Sequence, residues 1–186
     1  MHLGECFYDH FTRFLGQPAG HTVFRSDTPE PSIQILAYDR VLADCRVFCS
    51  LGLTHYAQEL MGVCEVFLPA DDAWDEIPAL LANALDYMTK KPVRLKRGTA
   101  LGGMANINRQ FTERFQKHAL YFSLPFGMPD DFAMVDCGTL SGCVYLAAFI
   151  TQAEYDYLLA HGPEQLERLL EDQLLDPYHL QRGSCI

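Results

Sequence analysis

The chain has 186 residues, 49% of them hydrophobic and 20% charged, with a formal net charge of −10. Such a length suits one domain whose folding removes roughly 70% of the unfolded chain's surface from water. The acidic balance argues against general nucleic-acid binding, because phosphates would be repelled, and no apolar run approaches the ~20 residues of a membrane span.

The start, MHLGECFYDHFTRFLG, has no basic lead and carries Glu5, so it does not read as a signal peptide. Cys6, Phe7, His10, Phe11, Phe14 and Leu15 fall at helical spacing, and Gly16 with Pro18 ends that helix. Residues 17–32 read as loop, and residues 33–38 as a strand. Over residues 42–51, Asp44, Arg46 and Ser50 alternate with Cys45, Val47, Cys49 and Leu51, which predicts one wet and one buried face. Gly52 closes that strand, and residues 53–57 are expected to form an exposed loop. Residues 63–68 predict a strand closed by Pro69. Asp75 is placed to cap a helix with Pro78 in its first turn and a stripe of Trp74, Ile77, Leu81, Ala84, Leu85 and Met88. Residues 93–95 and 119–124 read as further strands, and the apolar run 143–150 as a central one. Thr151 and Glu154 form a capping box for a helix that Gly162 ends, and Pro163 opens another carrying Leu166, Leu169 and Leu170. Strands outnumber helices without regular β-α alternation. The expected fold is α+β, a mainly antiparallel sheet packed with helices, in a single domain over residues 1–186.

Cys45, Cys49, His55 and Cys64 raise the question of a metal. Two strand residues four apart are separated by roughly 13 Å, whereas two zinc thiolates must lie within about 4.6 Å. No metal and no cofactor is expected. The seven cysteines form no framework and, without an export signal, read as reduced thiols in a cytoplasmic protein. A Cys/His-dependent hydrolase stays open as an alternative, because cysteines and histidines distant in sequence can meet in space. Against it, Cys45, Cys49, Cys64 and Cys143 look buried, and a reactive thiol needs exposure and a depressed pKa. Ser141 is misplaced for a nucleophile elbow in Gly138-Thr-Leu-Ser141-Gly142. Gly98-Thr-Ala-Leu-Gly102-Gly103 lacks the Lys-Ser/Thr of a phosphate loop and reads as the start of a flexible loop toward Asn106 and Asn108. Lys90, Lys91, Arg94, Lys96 and Arg97 either grip an acidic partner or belong to a helix end and a water-facing edge strand. His10 and His118 read as satisfied neighbours of packed residues.

The order of several segments resembles the suppressor of fused family. They are Ser50-Leu-Gly-Leu-Thr54 after a strand, Cys64-Glu-Val-Phe-Leu-Pro69, Trp74 with the helix to Tyr87-Met88, and Gly142-Cys-Val-Tyr-Leu-Ala-Ala-Phe-Ile150 running into Thr151-x-x-Glu154. The resemblance covers residues 33–172. It implies a non-enzymatic protein-binding module: the animal member restrains the Gli transcription factor by binding it, and short bacterial members resemble immunity proteins that neutralise a partner toxin. It also implies that Thr54, His55 and Tyr56 lie near the partner-binding face. Tyr56 is either an anchor for the partner or packs against its own sheet.

Overall fold

The computed structural model describes residues 2–24, 31–42, 45–71 and 73–186. Asp44, expected on a wet strand face, and residues 25–30 of the expected loop lie outside them. The strands are β1 (Gly20–Phe24), β2 (Ile33–Leu42), β3 (Cys45–Leu51), β4 (Cys64–Ala70), β5 (Ala100–Gly102), β6 (Ala119–Ser123), β7 (Met134–Asp136) and β8 (Ser141–Ile150). They form one mixed sheet in the order β1-β2-β3-β4-β8-β6-β5, with β7 paired to the start of β8. Only β4 and β8 run parallel. The helices are α1 (Leu3–Leu15), α2 (Ile77–Thr89), α3 (Met104–Ile107), α4 (Arg109–Phe115), α5 (Gln152–His161) and α6 (Pro163–Asp172). The α+β, mostly antiparallel fold is therefore the one the sequence predicts.

Both faces of the sheet are covered. Phe48, Val66, Leu68, Phe122 and Phe149 share a core with Leu81 and Leu85 of α2 and Phe111 of α4. Alternate residues point the other way. Val47, Cys49, Phe67 and Leu146 pack with Phe7 and Phe11 of α1, while Ala119, Tyr121 and Ile150 pack with Leu158 of α5 and Leu166 of α6. Two-sided covering explains why β4 is buried along its whole length. It also overturns the wet-face assignment of Ser50, which is fully buried.

Six further expectations are corrected. Part of the expected loop 17–32 is β1, hidden because His21, Thr22 and Val23 are exposed and carry no buried alternation. Pro69 does not end β4: it lies opposite Val47, past the last β8 pair at Phe67 and Leu146. Asp75 does not cap α2, whose N-cap is Glu76. Residues 93–95 are irregular backbone, with Val93 N–H donating to the Glu59 carbonyl at 2.8 Å and Leu95 N–H to that of Leu60 at 3.1 Å. The glycine-rich segment 98–103 supplies the short edge strand β5 rather than a flexible loop. Cys6 and Cys137 are not reduced thiols. Packing of α1 beside β7 brings their Cα atoms to 5.8 Å and they form a disulfide.

Candidate functional site

The site is built around the turn that follows β3. Gly52 holds φ at +120°, and a Cβ there would sit 2.6 Å from the Ser32 carbonyl oxygen, so only glycine fits without strain. Beneath the turn lies Glu65 of β4, fully buried. Its carboxylate accepts hydrogen bonds from the Ser50 hydroxyl at 2.6 Å, Gly52 N–H at 2.8 Å and Thr54 N–H at 3.2 Å. Ser50 in turn accepts from Val66 N–H at 2.8 Å. Burial pushes the Glu65 carboxyl up to about 7, and the four hydrogen bonds to it, from Ser50, Gly52, Leu53 and Thr54, pull only part of the way back. The buried carboxyl thus ties the turn to the sheet.

The expected exposed loop is a 3-10 turn, Leu53–Tyr56, and most of it faces inward. Thr54 and Tyr56 are each 7% exposed, and His55 alone of the three predicted residues faces water. Leu53 draws the turn onto the core, which is why the exposed-loop expectation fails. Tyr56 packs in the same core and donates its hydroxyl to the Pro31 carbonyl at 2.7 Å. Its position is that of a residue packed against its own sheet.

His55 opens onto a cavity of about 520 Å³ between α1 and the turn. His2, Glu5, Tyr8 and Asp9 line it from the α1 side and Gln34 from β2. The His2 and His55 rings are 5.9 Å apart. The wall supplies two imidazoles, two carboxyls, a phenol and an amide, a set suited to hydrogen bonding and to basic groups. Among the described residues, no group of three or more His, Cys, Asp and Glu is placed to hold a metal ion. Glu65 was missed in the sequence, although a lone acid in the apolar run CEVFLPA is a visible signal.

The buried thiols of Cys49 and Cys64 are poor nucleophiles. Burial pushes Cys49 and Cys64 well up, and the nearby Glu65 carboxyl adds to it. His10 lies among the rings of Phe11, Phe14 and Phe132 and hydrogen-bonds the Phe132 carbonyl at 3.0 Å; burial lowers its pKa.

No family model matches the chain, and no curated protein does. Solved structures do, and two of them are described. One is described as a suppressor of fused homolog from Neisseria gonorrhoeae: 20% identical, TM-score 0.75, covering 99% of this chain and 97% of that one. The other is the Sufu-Fu complex: 11% identical, TM-score 0.70, covering 97% of this chain and 91% of that one. At these identities the likeness is one of fold: the chain has the suppressor-of-fused fold along nearly its whole length.

Proposed function

We propose that the chain is a protein-binding module whose partner docks where His55 meets the α1 cavity. The observation that carries this is geometric: an exposed side chain stands on a turn pinned by a buried carboxyl, beside an open polar cavity. A pinned turn loses little freedom on binding, so its contacts count toward affinity. Thr54 and Tyr56 contribute by holding the turn, and His55 by contact. The fold is shared with a protein solved as the Sufu-Fu complex, which supports a partner-binding role. The finer form is a bacterial immunity-type protein neutralising a toxin. The net charge of −10 and the rim acids Glu5 and Asp9 suit a basic partner of that kind. An enzymatic role gains nothing from thiols whose pKa values burial raises.

The test is affinity capture from the native lysate with wild type and His55→Ala, read by mass spectrometry, then titration of the captured protein. His55 is exposed, so the variant keeps its unfolding midpoint. Its affinity is expected to fall about tenfold or more. Equal affinity for both would remove His55 from the interface, and with it this site.

A further inference from the structure

Strand pairing brings together sulfur atoms that no single strand could. Cys45 and Cys49 lie four residues apart on β3, too far to share an ion. Cys64 of β4 is instead the parallel register partner of Cys143 of β8, and Cys143 is the antiparallel partner of Met134 of β7. Register partners on neighbouring strands put their side chains on one face of the sheet, with the strands about 4.8 Å apart. Cys64, Cys143 and Met134 therefore form a row of sulfur-bearing side chains across three strands. Both cysteines are free thiols.

The row runs from the core to the surface. Cys64 is buried in the core that holds Val66 and Leu68, Cys143 is half-buried at the margin of that core, and Met134 is 56% exposed. The Cys143 thiol donates to the Met134 thioether at 3.8 Å. Two sulfurs held about 2.3 Å from one ion at trigonal angles lie about 4.0 Å apart, so this pair already has the spacing of shared coordination. The Tyr145 hydroxyl hydrogen-bonds Cys143 from the same face, and the exposed Arg94 lies close enough to act on that hydroxyl. Glu65 follows Cys64 but points to the opposite face, where Ser50 holds it.

We infer that Cys64, Cys143 and Met134 form a binding site for a soft monovalent metal ion, copper(I). Donor chemistry identifies the ion. Two thiolates and a thioether are soft ligands that select copper(I), whereas calcium and magnesium need oxygen and structural zinc takes four ligands. Only two of the donors are His, Cys, Asp or Glu side chains, and the third is a thioether. On binding, each thiol releases its proton to solvent, and each of the three sulfurs gives a lone pair to the ion. No electron is transferred. Two thiolates around one monovalent cation leave a charge of −1, which suits a position near Arg94. Because both thiols must lose their protons and burial pushes the Cys64 thiol up, binding tightens as pH rises. The exposed thioether gives the ion a path inward from solvent. None of the three residues lines the His55 cavity.

The probe is copper(I) itself, delivered as its coloured bicinchoninate complex without oxygen. Ascorbate keeps the copper monovalent, and thiol reductants are omitted so that the Cys6–Cys137 disulfide stays closed. Wild type is expected to withdraw one copper per chain, more tightly at pH 8 than at pH 6. Cys143→Ser should bind about tenfold or more weakly. Met134→Leu conserves volume at an exposed position and should also lose affinity. Cys185→Ser, whose thiol packs in a different core, should bind like wild type. Copper should raise the urea midpoint of wild type and leave that of Cys143→Ser unchanged. Absence of copper uptake by wild type, or equal affinity in wild type and either the Cys143 or the Met134 variant, overturns the inference. So does loss of binding in Cys185→Ser, or zinc bound as tightly as copper(I).

Discussion

Glu65 is a buried carboxyl that hydrogen bonds satisfy and that no salt bridge reaches among the described residues. Its folded-state pKa of about 7 stands above the ordinary 4.5. A raised value means the folded state holds the proton more tightly than the unfolded one. The resulting stability is complete below pH ~4.5 and is lost as pH rises through about 7. The urea midpoint of wild type should therefore fall between pH 5 and 8. Glu65→Gln keeps an acceptor for the Gly52 and Thr54 N–H groups but cannot ionise, so its midpoint should stay level over that range. Parallel slopes for the two proteins would show that Glu65 does not titrate there. Gly52→Ala places a methyl against the Ser32 carbonyl at a φ of +120°. It should cost about 2 kcal/mol or more, read from the shift in urea midpoint.

At the scale of elements, the segment following α6 is fastened by a buried ion pair. Arg182, 4% exposed in its side chain, meets the fully buried Glu154 of α5 at 2.6 Å. Lys117 donates to the Arg182 carbonyl at 3.0 Å, and Cys185 N–H donates to Glu154 at 3.0 Å. Glu154 closes the Thr151 capping box at the same time. Arg182→Ala leaves the Glu154 carboxyl buried without its cation and should destabilise the fold by roughly 3–5 kcal/mol in chemical denaturation. Burial opposes ionisation of Glu154, but Arg182 and the backbone donors outweigh it and hold the carboxyl down at about 2. A depressed value stabilises above pH ~4.5, and that stability is lost as pH falls toward 2. The capping box was legible because it is local. The tie to Arg182 was not, since the partners are far apart in sequence and only the fold joins them.

For the whole molecule, the Cys6–Cys137 disulfide spans 131 residues and joins α1 to the residue that follows β7. In denaturant, thiol titration should count five cysteines without reductant and seven after it. Seven in both would mean that the two thiols remain reduced. Reduction should lower stability by about 2–5 kcal/mol, because a long loop gains conformational freedom in the unfolded state. The same packing forms one wall of the His55 cavity, since Glu5, Tyr8 and Asp9 stand on α1. No helix among the described residues is long and apolar enough to cross a membrane.

Periodicity alone determined much of this protein. The helical spacing in α1, the apolar run of β8 and the Thr151–Glu154 box all rest on contacts within a few residues, which local sequence encodes. Tertiary structure decided the rest. Ser50 sits at a position that alternation marks as wet, yet α2 covers that face and Glu65 meets its hydroxyl. Thr54 and Tyr56 look like loop residues, yet the core pulls their turn inward and leaves His55 outside. Burial on the second face of a sheet, and pairing between distant residues, depend on which elements fold over which. A one-dimensional pattern carries no record of that.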